Sequence, residues 1–139
     1  MQEEYFISTD KSKLQLDVIH TFLSSSYWAK DIAIERVQTA IDNSLCFGVY
    51  HGDRQVGFAR VVTDFAVIAY VGDVFILEEE RGKGLSKLLM KHIVEHPQLK
   101  DLRRIILATR DAHKLYEQFG FKTLVYPERW MEKPKPGAY

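Results

Sequence analysis

The chain is short of cysteine, of net charge and of long apolar runs, and each shortage narrows the field. Cys46 is the single cysteine, so no intrachain disulfide can form, which suits a reducing cytosol. Nineteen Lys and Arg balance nineteen Asp and Glu, so nothing in the overall charge favours nucleic acid or an anionic membrane as a partner. No apolar run approaches the roughly 20 residues of a membrane span, and the opening MQEEYFISTDKSK has no apolar leader core. Repeats, linkers and low-complexity stretches are also missing. His92 and His96 have the spacing of a metal pair on a helix, but no third ligand stands near, so no metal site is expected. What remains is an ordinary globular composition in 139 residues, 46% hydrophobic and 27% charged. That length predicts one domain over residues 1–139, burying roughly two thirds of its unfolded surface, in the cytoplasm.

One stretch stands out, DVFILEEERGKGLSKLLMKHI from Asp73 to Ile93. Val74 to Leu77 reads as a buried strand, Glu78-Glu79-Glu80 as a solvated turn, and Arg81-Gly82-Lys83-Gly84 as a basic, glycine-punctuated loop. Leu85, Leu88, Leu89 and Ile93 then follow at the spacing of one helical face. The first N–H groups of a helix have no internal partner, and the macrodipole adds positive potential there. Glycines at the entry let those groups approach an anion, and Arg81, Lys83 and Lys87 add three cations. The pattern is neither a Walker loop nor the dinucleotide G-x-G-x-x-G, because Lys87 holds the third glycine's place. It fits a phosphate cradle, or more plainly a softened strand–helix turn with solvated cations.

The rest of the chain reads as follows. Tyr5–Ser8 is a short strand. Ser12 and Gln15 have the form of a capping box before a helix bearing Leu16, Ile19, Phe22 and Leu23. Tyr27-Trp28-Ala29-Lys30 connects it to a second helix, capped by Asp31, with Ile34, Val37 and Ile41 inward. Its two aromatics are either a lid on the core or part of a pocket. Residues 45–50 and 55–62 form a hairpin around the turn 51–54, and residues 67–77 a long strand in which Gly72 marks a bulge or close approach. Strand 103–109, a helix over 112–119 capped by Asp111, and a last strand 121–126 complete a mixed α/β sheet. Its order is antiparallel N-terminal strands, then strand–helix–strand–helix–strand. Cys46, inside an apolar strand, is expected to be a buried thiol.

The loop Arg81-x-x-Gly84-x-Ser86 resembles the coenzyme A pyrophosphate loop of the GNAT superfamily of N-acetyltransferases. That family's pattern is Arg or Gln, two residues, Gly, one residue, then Gly or Ala. Ser86 is small enough for the same close approach. Further on, Ala112, Leu115, Tyr116, Gly120 and Phe121 resemble the family's A-x-x-L/F-Y-x-x-x-G-F motif, in the family's order and with a strand between the two motifs. Asparagine is frequent three residues before that alanine; here it is Thr109. The resemblance covers roughly residues 56–121 and implies a small, single-domain, bacterial-type member with acetyl-CoA as co-substrate and a primary amine on a small molecule or peptide as acceptor. Arg81, Gly82, Lys83, Gly84, Leu85, Ser86 and Lys87 would hold the pyrophosphate, and Phe75, Ile76 and Leu77 would align the pantetheine. Tyr116 would serve the leaving thiolate as general acid. Family bases are commonly carboxylates on the strand before the loop, where Asp73 is the acid available, with Asp64 behind it. The alternative for Asp73 is an ion pair with Arg60 or Arg110. Tyr27, Trp28, Phe65 and Trp130 are candidates for the acceptor pocket, and homodimers are common in the family. The rival expectations are a non-catalytic acyl-CoA sensor and a nucleotide-binding regulatory domain.

Overall fold

The computed structural model describes residues 4–138. Five strands form one sheet in sequence order: β1 (Tyr5–Ser8), β2 (Leu45–His51), β3 (Arg54–Thr63), β4 (Ile68–Ile76) and β5 (Arg104–Leu107). The first four pair antiparallel, and β4 pairs with β5 in parallel. Helices α1 (Leu16–Ser25) and α2 (Ile34–Asp42) precede β2; α3 (Leu85–Glu95) and α4 (His113–Glu117) flank β5 in sequence.

Alternation along the strands gives the sheet two apolar faces. Phe47, Val49, Ala59 and Val61 join Leu85, Leu89, Met90 and Ile93 of α3 in one layer. Cys46 and Phe58 join Ile19, Leu23, Val37 and Ile41 of α1 and α2 in the other. Leu89 and Ile93 are fully buried, and each such side chain contributes about 1.5–3 kcal/mol by leaving water. The helical spacing predicted for α3 is therefore the spacing that anchors the loop before it.

Helix entries differ from expectation. The Ser12–Gln15 capping box does not form; Asp10 instead accepts from the Ser12 N–H at 2.9 Å, and Gln15 is drawn into a reciprocal pairing with Gln55. Gln55 is wholly buried in β3, so its amide requires such a partner. Neither Asp31 nor Asp111 caps a helix: α2 starts after Ala33, and the Thr109 hydroxyl accepts from the Ala112 N–H at 3.0 Å. The predicted last strand at 121–126 is absent as a strand. The Phe121 N–H turns back to the Tyr116 carbonyl, its ring packs on Tyr116, and Pro127 opens a short 3-10 turn, so the segment joins no ladder.

Candidate active site

The site begins where the parallel pair comes apart. Residues Ile68–Val71 of β4 lie opposite Arg104–Leu107 of β5, after which β4 continues alone to Ile76. On its other side β4 stays tied to β3, with Phe75 opposite Phe58 and the Leu77 N–H on the Val56 carbonyl at 2.8 Å. Antiparallel alternation then turns the backbone groups of Ile76 toward the opening. Its carbonyl accepts from Arg81 Nε at 3.3 Å. Phe75 and Ile76 are buried and Leu77 is half-buried, so this edge is a short polar seam in an apolar wall.

Gly72 does mark a bulge. Arg60 faces Gly72 while Phe58 faces Phe75, so three steps of β4 match two of β3. The extra residue places Asp73 at φ 53°, a left-handed backbone that costs a non-glycine residue strain. It also aims the carboxylate sideways. Oδ1 accepts from Trp28 Nε1 at 2.9 Å and Oδ2 from Arg60 Nε at 2.8 Å. The ion pair foreseen for Asp73 is thus with Arg60. Asp64, the second acid, instead accepts the N–H groups of Ala66, Val67 and Ile68 in an exposed turn.

The loop after β4 has the geometry of an anion cradle. Gly82 and Gly84 stand at φ 81° and 78°, and Gly84 is the entry residue of α3. The helix's first internal bond from this end runs from the Leu88 N–H to the Gly84 carbonyl. The N–H groups of Leu85, Ser86 and Lys87 lie ahead of that bond, at the positive end of an eleven-residue helix. Arg81 and Ser86 line the cleft beside them. Lys83 is placed differently from Arg81: its Nζ lies 2.9 Å from both Glu80 Oε1 and Tyr5 Oη. Glu80, expected in a solvated turn, is buried; it accepts from Tyr5 at 2.7 Å and holds the loop against β1. These bonds keep its carboxyl below the usual carboxylate range, the Lys83 bond most of all.

Both halves open into one cleft of about 410 Å³, bordered by Asp73, Ile76, Arg81, Ser86, Thr109 and Tyr116. Tyr116 is buried, and among the described residues its hydroxyl has no hydrogen-bond partner. Burial pushes its phenol up, with Tyr27 and Asp111 adding to the effect, so it stays protonated. Tyr27 and Trp28 are pocket walls: Arg110 stacks 3.8 Å from the Tyr27 ring centroid, and the two aromatics meet edge to face. Phe22, Tyr70 and Arg60 complete this side, and no sequence motif marks Tyr70. Trp130 and Phe65 lie elsewhere, Trp130 over Arg104 and Phe65 exposed in the β3–β4 turn. Cys46 is buried with its thiol pushed up to about 11 by desolvation, and His92 is exposed on α3. Among the described residues no three His, Cys, Asp or Glu gather as a metal site, and no helix is long and apolar enough to cross a membrane.

A parted parallel pair, a glycine-built anion cradle and a protonated tyrosine meet in one cleft, the arrangement that the sequence resemblance implies for a coenzyme A-dependent acyltransferase. Comparison with known proteins agrees. The profile of the acetyltransferase (GNAT) family matches residues 15–121. A Gibberella zeae protein, provisionally named an acetyltransferase, is 32% identical over 86% of this chain and 80% of its own length. A solved structure of a GNAT-family protein from Xanthomonas campestris pv. campestris is 50% identical, with a TM-score of 0.95 over 100% of this chain and 99% of that one. An uncharacterized N-acetyltransferase of Prochlorococcus marinus is 34% identical over 73% of this chain and 59% of its own length. The chain belongs to the GNAT acetyltransferase family, whose members take acetyl from acetyl-CoA.

Proposed function

We propose that this chain, as one domain in the cytoplasm, transfers acetyl from acetyl-CoA to a primary amine by direct attack, without a covalent enzyme intermediate. The observation that carries the reading is the single cleft joining the anion cradle to Tyr116 and Asp73. The N–H groups of Leu85, Ser86 and Lys87, with Gly82, Lys83 and Gly84 shaping the loop and Arg81 alongside, bind the pyrophosphate. Along the edge of Phe75, Ile76 and Leu77, the Ile76 backbone, the one turned to the opening, pairs with the amide-like pantetheine, while Phe75 and Leu77 stay bonded within the fold. Acetyl-CoA supplies the thioester. The acceptor nitrogen attacks its carbonyl carbon, the C–S bond breaks, and Tyr116 donates its proton to the departing thiolate.

Asp73 serves the acceptor. Both its oxygens are engaged, yet each keeps a lone-pair direction, so the carboxylate can accept from an incoming ammonium. The proton then leaves through water or Asp73 itself. The same engagement favours a second reading, an acyl-CoA-binding sensor with no acceptor chemistry. Calorimetric titration of acetyl-CoA into the wild type and Gly84→Glu tests the cofactor site: micromolar binding lost in the variant supports it, and no wild-type binding overturns it. Amine-dependent thiol release then separates transferase from sensor.

A further inference from the structure

The reading above leaves the acceptor open, and the geometry around Asp73 bears on its class. Trp28, Asp73 and Arg60 form a partition, bonded at 2.9 and 2.8 Å, with the cleft on one side. On the other lies a second pocket of about 280 Å³ between α1, α2 and the sheet, bounded by the same three residues and by Tyr70. Apart from Arg36, its remaining accessible walls are apolar, formed by Ala29, Ile32 and Ala40 over the buried Leu23, Val37 and Phe58. Arg60 is neutralised by Asp73, whereas the exposed Arg36 at this pocket has no acidic partner among the described residues.

We propose that this side pocket receives the body of the acceptor, and that the acceptor is a small monoamine with an apolar skeleton. The inference rests on the transferase reading. An ammonium at the partition donates to the lone-pair direction that Asp73 Oδ1 keeps beside the Trp28 N–H, so the carboxylate holds both. The carbon skeleton then lies on the partly exposed Ala29, Ile32 and Ala40, where each buried methylene strengthens binding about fourfold. A second ammonium at the far end meets Arg36 and is repelled. The ring hydroxyls of a sugar lose water against Ala29, Ile32 and Ala40 and gain no partner there.

The test measures kcat/KM at saturating acetyl-CoA for ethylamine, butylamine, hexylamine, 2-phenylethylamine, spermidine and glucosamine 6-phosphate. Values rising at least threefold at each step from ethylamine to hexylamine, with spermidine and the sugar phosphate at least tenfold below hexylamine, are expected. A flat or falling series, or a preference for spermidine or the sugar phosphate, overturns the proposal. Ala40→Phe, which narrows the same pocket, should lower the hexylamine-to-ethylamine ratio at least tenfold; an unchanged ratio in a folded variant also overturns it. A binding readout needs no turnover: in Trp130→Phe, Trp28 is the only tryptophan, and hexylamine should change its fluorescence saturably. No change overturns the pocket assignment. Absence of turnover with every amine, in protein that binds acetyl-CoA, instead defeats the transferase reading, leaving the fluorescence titration to judge the pocket alone.

Discussion

The two walls of the cleft are built in opposite ways. On the proposed reading, the coenzyme wall is a continuous run of chain, from Phe75 through Gly84 into α3, and its functional groups are mainly backbone N–H and C=O. The acceptor wall is assembled from side chains far apart in sequence: Trp28 reaches Asp73 across 45 positions and Arg60 across 13. A wall of backbone groups depends on conformation, so its sensitive residues are glycines. A wall of side chains depends on identity, so even isosteric changes should be felt there, while binding at the other wall survives. Perturbing each wall alone tests whether they are separable.

The largest effect is expected at the cradle. Gly84→Glu places a carboxylate beside the pyrophosphate N–H groups and forces a side chain onto φ 78°. Acetyl-CoA affinity should fall at least about a hundredfold by titration, from like-charge repulsion in the cradle. Gly84→Ala separates the two causes. No atom lies within 4 Å of its added Cβ, so only the backbone cost of about 1–2 kcal/mol remains, to be read from thermal or denaturant unfolding. Next comes Tyr116→Phe, which removes one oxygen from a buried ring. With chemistry shown to be rate-limiting, kcat should drop roughly 10²–10⁴-fold at unchanged acetyl-CoA affinity. A drop below about twofold removes the acid assignment.

A smaller, selective effect belongs to Asp73→Asn. Asparagine tolerates the left-handed backbone and keeps the shape, so the bulge should persist. Its amide offers one acceptor oxygen to two donors, Trp28 Nε1 and Arg60 Nε, so one bond is lost together with the charge that holds an ammonium, and kcat/KM for the amine should fall about ten- to a hundredfold. Acetyl-CoA affinity should stay within about twofold. If both fall together, the walls are not separable and Asp73 acts through the shape of β4.

The same division explains what could be seen in the sequence. Gly82, Gly84, the periodicity of α3 and the bulge at Gly72 are local signals, each requiring a conformation whatever lies around it, and the structure has all four. The Tyr116 motif lies over one short helix and was equally visible. Trp28 was visible only as a large aromatic in a connection; nothing local says that its N–H ends on Asp73. Trp130 looked no different from Trp28, and only packing assigns it to Arg104 instead. The segment 121–126 has strand composition, but a strand needs a partner, and Phe121 is claimed by the end of α4 before any ladder forms. Three consecutive glutamates looked like a solvated turn because the burial of Glu80 comes from Tyr5, 75 positions away.

That glutamate supplies the smallest effect and the one most dependent on pH. Glu80 ties the cradle to β1 through Tyr5 and Lys83, and its folded-state carboxyl lies below its ordinary value. A depressed carboxyl contributes stability above the unfolded-state value and loses it as pH falls through the folded-state value. Acidification below about pH 4.3, the ordinary glutamate value, should therefore loosen the wild-type loop. Glu80→Gln keeps the size and an acceptor oxygen but has no such proton to take up. Its unfolding free energy should lie below that of the wild type at pH 7 and converge on it as pH falls through the folded-state value of Glu80. Acetyl-CoA should bind a few-fold more weakly at neutral pH, because Lys83 loses the carboxylate that positions it and the loop. If Glu80→Gln binds acetyl-CoA more tightly, Glu80 instead withholds Lys83 from the pyrophosphate, and the coenzyme wall depends on a distant side chain after all.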